Sequence, residues 1–205
     1  MQHPLESIPV EYRKRFFITF LSLTLILFAV FRVLDQPLRT PASPNGIVSF
    51  ELARTPQQAQ AIIDVWTGRT IIFTDGENSN AVTVPPGEPF AYNAVPTIHA
   101  AFGLGIDYLF MPLYALALAF GILLASQKHE GRIKSLGAVG GYGAFAAALF
   151  DAVENFALWQ ILLGAYESSY PAVAAFCASI KFGLIVFGLL VGFVGWLLPK
   201  KEWAK

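Results

Sequence analysis

The sequence predicts an all-α membrane protein: a four-helix transmembrane bundle with a polar insert between its first and second spans. Three observations predict it. Hydrophobic residues make up 55% of the 205-residue chain and charged residues only 14%, where soluble domains carry about a quarter charged. The missing charge is concentrated, because four runs, about 16–34, 97–126, 136–163 and 172–198, are nearly free of it. Each run is long enough to cross a hydrocarbon core of about 30 Å. The one sizeable polar stretch, about 35–96, separates the first two runs. Residues 1–205 therefore read as a single integral membrane domain. The formal net charge is zero, which gives no argument for a nucleic-acid partner. A lone Cys177 excludes an internal disulfide and a multi-cysteine metal site, and neither a cofactor nor a metal is expected.

The first run follows Arg13-Lys14-Arg15. Basic residues before an apolar run also fit a secretory signal peptide. This run exceeds the usual apolar region of about 7–15 residues, and no small-x-small site follows it, so a retained signal-anchor helix is expected. Arg32 lies at its far end, where a long side chain reaches the headgroups.

The insert opens with Pro37, Pro41, Pro44 and Asn45-Gly46, a turn-rich start. Ile47 to Leu52 reads as a short strand-like or membrane-hugging piece. Thr55-Pro56-Gln57-Gln58 reads as a helix start, with Thr55 as N-cap, Pro56 at the first position and Gln58 closing a capping box. The helix runs to about Trp66, with Ala59, Ile62, Ile63 and Trp66 on one side. It is expected to lie on the membrane or on the bundle's outer end. Thr70–Thr74 and Ala81–Val84 flank a polar tip and read as a β-hairpin. The tip lacks the twelve-residue spacing and terminal glutamate of an EF-hand, so a solvated turn is expected there.

The second run starts after Pro96 and carries Asp107, Tyr108 and Tyr114. Lys128, Arg132 and Lys134 fill the short link to the third run, which holds Asp151, Glu154 and Asn155. The turn from Tyr166 to Pro171 has no Lys or Arg. The fourth run carries Lys181 and ends at Pro199, before a tail with Lys200, Lys201 and Lys205. Basic residues thus cluster before the first span, between the second and third, and after the fourth. By the positive-inside rule both termini are cytoplasmic and the insert is extracytoplasmic, as in a bacterial inner membrane. Tyrosines and tryptophans near the span ends fit interfacial belts.

A charge near the bilayer centre costs from about 2.5 to more than 10 kcal/mol, so intramembrane ionisable groups are functional candidates. Counted inward from the insert side at about 1.5 Å per residue, Asp107, Asp151, Glu154 and Lys181 all lie roughly 13–18 Å deep. Three antiparallel spans place them at one level, which predicts that they meet in the bundle interior. Asp151, Glu154 and Asn155 stand at i, i+3 and i+4 and share a helix face. Asp107, Met111 and Tyr114 form a similar stripe, which sends a phenol toward the same level. Three carboxylates then face one lysine, and like charges close together in a low dielectric do not all ionise. The expected network is Lys181 paired with one carboxylate, Asn155 and a tyrosine bonded around it, and a proton held on another carboxyl. Gly137 with Gly141, Gly140 with Ala144 and Ala148, and Gly188 with Gly192 form small-xxx-small patterns that let helices approach. His99 reads as interfacial, and His3 and His129 as loop residues.

Three blocks carry a resemblance. Leu34-Asp-Gln-Pro-Leu with Gly46-Ile-Val-Ser-Phe-Glu-Leu-Ala53, Gly103-Leu-Gly-Ile-Asp-Tyr-Leu-Phe-Met-Pro-Leu-Tyr114, and Leu149-Phe-Asp-Ala-Val-Glu-Asn155 together resemble a family of uncharacterised bacterial four-span integral membrane proteins. Lys181-Phe182 is similar as well. The resemblance covers most of the chain except about 68–96, which reads as an insertion. It implies topology and no activity. In architecture alone, the buried acidic residues are similar to those of sterol-isomerase-like membrane proteins.

The first functional expectation is binding or passage of a small ligand, lipid or proton at the acidic centre formed by Asp107, Tyr114, Asp151, Glu154, Asn155 and Lys181. The second is a structural or assembly subunit, partnered by another membrane protein or a second copy, whose polar cluster locks helix packing. The third is an intramembrane enzyme using paired carboxylates, although no protease, transferase or metal motif accompanies them and no catalytic residue is assigned. A ligand site predicts a cavity open to the outer leaflet or the outer face beside Asp107 and Glu154. A structural cluster predicts tight packing with every polar atom satisfied.

Overall fold

The computed structural model describes residues 2–75, 78–85, 87–89 and 92–199, with the side chains of 73–75, 78 and 79 outside that description. Among the described residues, four helices are long and apolar enough to cross a membrane: α1 (Val10–Leu34), α4 (Ala94–Ser126), α5 (Arg132–Leu162) and α6 (Tyr170–Leu197). Between α1 and α4 lie α2 (Ile47–Glu51), α3 (Pro56–Trp66) and the strands β1 (Thr70–Asp75) and β2 (Asn78–Thr83). The protein is an all-α integral membrane protein with a small hairpin in its insert. Each span runs a few residues past its apolar run, because polar residues at helix ends keep their backbone bonds without meeting lipid. The basic tail from residue 200 lies outside the described residues.

The chain forms two compact units. One comprises Met1–Phe28, Tyr108–Ala152 and Ser179–Lys205, and the other Ala29–Asp107 and Val153–Ala178. Pro112 lies inside α4 shortly after this division; its missing N–H leaves one carbonyl of the preceding turn without its helical donor.

The first unit is a bundle of four helix segments, and Ile122 is its knob. Ile122 is 1% exposed. A Cβ on Gly140 of α5 would stand 3.2 Å from its side chain, one on Gly188 of α6 3.0 Å, and one on Gly192 3.6 Å. Three helices therefore close on one branched side chain, and the small-residue patterns are packing devices. Gly137 meets Ser126 in the same way, and Gly141 meets the ring of His3. Along α1, Phe16 packs tilted against Phe120 of α4 and Phe20 stacks on it, at 5.6 and 6.2 Å between ring centroids. Elsewhere α1 presents apolar side chains outward, and none of its most apolar window is buried.

Two histidines depart from the loop reading. His3 is 3% exposed, packs tilted against Tyr142 and stacks on Phe145 of α5, while its Nδ1 caps the short 3-10 turn Pro4–Ser7. Burial lowers its pKa below the ordinary 6.5, with Glu6 pulling the other way. His129 is buried, with Nε2 2.8 Å from the carbonyl of Gly195, and Lys128 donates to the carbonyl of Trp196 at 3.0 Å. These carbonyls lie in the last turn of α6, where the helix has no donors of its own and its dipole favours cations.

The second unit is built on Trp66. Its indole donates to the carbonyl of Leu38 (3.1 Å) and to Ser43 Oγ (3.0 Å), and Ser43 Oγ itself donates to Leu38. Phe50 packs on the indole at 5.1 Å. The apolar face of α3 is buried with Leu104, Leu158, Ile161 and Ala174. Its burial against protein decides between the two expected placements: α3 packs on helix ends of its own unit. Thr55 caps it by accepting from Gln58 N, but Gln58 Oε1 accepts from Arg54 N, so the return bond falls one residue before the expected box.

Ile47–Leu52 is not strand-like; residues 47–51 are helical. The reason lies twelve residues away. Asp35 Oδ1 accepts from Ile47 N at 2.8 Å, and Asp35 Oδ2 pairs with Arg39 at 2.9 Å. Gly46 precedes this helix at φ 59°, and a Cβ there would overlap the Asp35 carboxylate, so both backbone and space require glycine. Phe50 then points inward under Trp66. The hairpin forms with longer strands than expected, paired from Thr70↔Thr83 to Asp75↔Asn78. Its Asn and Ser residues are poor strand formers, but the register carries them along. The expected turn residues 76 and 77 lie outside the described residues.

Candidate functional site

The site is assembled around Asp151, which α5 presents from within its long apolar run. Tyr114 of α4 donates its hydroxyl to Asp151 Oδ2 at 3.0 Å, and Lys181 of α6 donates to Asp151 Oδ1 at 3.0 Å. One carboxylate thus receives a donor on each oxygen from two different helices. Asp151 is 3% exposed, Lys181 5% and Tyr114 7%. Small buried neighbours, Ala115 and Ala147, leave room for these side chains to meet. The Lys181 ammonium also stands 4.7 Å from the centroid of the Phe182 ring. A paired, hydrogen-bonded charge is the form in which an ionisable group is tolerated at this depth.

The other expected members belong to the second unit. Glu154 and Asn155 are each 1% exposed. Asn155 Nδ2 donates to the carbonyl of Leu104 at 2.7 Å. Its Oδ1 is buried and meets no hydrogen-bond donor among the described residues. Asp107 is only half-buried. His99 places Nδ1 3.2 Å from the carbonyl of Leu34, a tie between α4 and the end of α1. Of the sequence-predicted set, Tyr114, Asp151 and Lys181 meet in one node, and Asn155 bonds to α4.

A cavity of about 780 Å³ lies in the first unit between α1, α4 and α6, within the usual range for small-molecule sites. Thr24, Leu21 and Phe17 form its α1 wall, and Gly188 and Gly192 its α6 wall. Tyr114 lines it, and so do Lys128 and Trp196. Asp107 and Glu154 do not line this cavity; it lies along the half of α4 that leads to the 127–131 link. This cavity is thus a different space from the one expected beside those two carboxylates.

Comparison with family models, with curated proteins and with solved structures finds no match. The site is therefore read from its own chemistry. Among the described residues no group of three His, Cys, Asp or Glu side chains is disposed to hold a metal ion. Sequence reasoning also missed Arg13, which is 6% exposed at the start of α1. Its place in a basic cluster signalled topology, and nothing local signalled burial.

Proposed function

We propose that this protein binds a small lipid-soluble ligand in the cavity beside the Tyr114–Asp151–Lys181 node. One observation carries the reading. Tyr114 is at once part of the cavity wall and a donor to the buried carboxylate, so an occupant of the cavity touches the group that positions Asp151. Resemblance to the bacterial four-span family supports the same topology, with the insert extracytoplasmic and both termini cytoplasmic in an inner membrane. The basic link of Lys128, Arg132 and Lys134 supports that orientation.

The test uses the protein in lipid nanodiscs and a neutral solvatochromic dye. Saturable binding to the wild type is expected. Thr24→Phe, which fills the cavity from the α1 side, is expected to weaken it at least about tenfold, in line with loss of a pocket's apolar contacts. Absence of saturable binding, or binding indifferent to Thr24→Phe, overturns the reading.

A second reading is a structural or assembly subunit. It is favoured by the closure of the node itself, in which both Asp151 oxygens already have donors. It expects Lys181→Met to lose stability while the dye finds no saturable site.

A further inference from the structure

The cavity is not uniform along its length, and its two ends differ in chemistry. One end reaches Tyr114 and, a turn further along α4, Phe110, inside the membrane. The other is Lys128 with Trp196, next to the last turn of α6, a pairing typical of a membrane–water interface. From Tyr114 to its end at Ser126, α4 rises about 18 Å at 1.5 Å per residue. That exceeds the half-thickness of a hydrocarbon core, about 15 Å. The lining therefore runs from an interface to beyond one leaflet's depth.

Apolar walls by themselves select nothing in a bilayer, because lipid tails are as apolar as leucine. Selection has to come from the ends. Lys128 is the charged side chain on the cavity wall, and no carboxylate lines it among the described residues. Its ammonium has three N–H donors, of which the carbonyl of Trp196 takes one. Two remain for an acceptor at the mouth.

Building on the ligand-binding reading above, we infer that the occupant is a long-chain amphiphile with an anionic head: the head sits at Lys128 and the chain lies along α4 toward Tyr114. The class is that of a fatty acid. Its carboxylate supplies acceptor oxygens to Lys128, and its chain lies against the apolar lining of Leu21, Leu118 and Leu189.

The experiment compares palmitate with hexadecanol, which has the same chain and a neutral head, as competitors of the neutral dye in nanodiscs of uncharged lipid. Palmitate is expected to bind about threefold to fivefold tighter, the size of a partly exposed ion pair. Lys128→Gln is expected to abolish that preference and Lys128→Arg to keep it, while Thr24→Phe weakens both competitors. Equal binding of the two competitors by the wild type overturns the anionic head and leaves the cavity reading intact. A preference that survives Lys128→Gln overturns the placement of the head. Binding of both that is indifferent to Thr24→Phe overturns the inference together with the cavity reading.

Discussion

Two buried polar nodes hold this chain together, and they are built on opposite principles. The Trp66 node in the insert is neutral: an indole, a hydroxyl and a carbonyl, with Ser43 and Trp66 both donating to Leu38. If one member is lost, the other two still bond to each other. The Asp151 node between α4, α5 and α6 is ionic, and its two donors serve the same carboxylate. If Lys181 is lost, a buried charge is left with only a phenol. A neutral node fails gradually, and an ionic node in lipid fails abruptly. The insert uses a device that any soluble domain could use, while the membrane part depends on charge neutralisation.

The largest expected effect breaks the ionic node. Lys181→Met should destabilise the protein by about 3–5 kcal/mol, the cost of stranding one partner of a buried pair. Adding Asp151→Leu should recover much of that loss. Denaturant unfolding in detergent measures both, and equal stability of Lys181→Met and wild type would remove the distinction between the nodes. Tyr114→Phe keeps the ring and removes one donor; about 1–2 kcal/mol is expected, near the upper end for hydrogen bonds inside membranes. Trp66→Phe should cost less, about 0.5–1.5 kcal/mol beyond the change in packing, because Ser43 still satisfies Leu38. A loss for Trp66→Phe above that for Lys181→Met would invert the comparison.

The smallest effect is a pH dependence at His3. Burial lowers its pKa in the fold, so between the folded value and 6.5 the unfolded chain binds more protons than the native state. The contribution of neutral His3 is complete above pH 6.5 and is lost as pH falls through the folded value. Melting temperature should therefore decline below pH 6.5, and His3→Asn, which keeps a capping acceptor, should flatten that part of the curve.

Much of this was legible from the chain. The four spans follow from apolar length, since nothing but a helix satisfies its backbone in lipid. Depth counting brought Asp107, Asp151, Glu154 and Lys181 to one level, because straight helices convert residue number into position, and helical spacing sent Tyr114 toward it. The same count says nothing about rotation, so it could not tell that Asp107 would be only half-buried. Ile47–Glu51 was illegible for a different reason. Its helix depends on Asp35 reaching across a turn and on Phe50 finding Trp66, and both are tertiary contacts. His3 and His129 looked like loop residues because their burial comes from helices far along the chain.

The Ile122 notch also has a history within each molecule's synthesis. Roughly 65 residues separate Ile122 from Gly188, and chains grow at about 5–20 residues per second. For several seconds Ile122 has Gly140 on one side and no α6 on the other. The α4–α5 pair must therefore hold itself in register before the third wall arrives. The last span then enters a groove whose shape is already set, and its two glycines need only match it. A substitution at Gly140 would act on a nascent hairpin, and one at Gly188 on the final docking step, although both touch the same side chain.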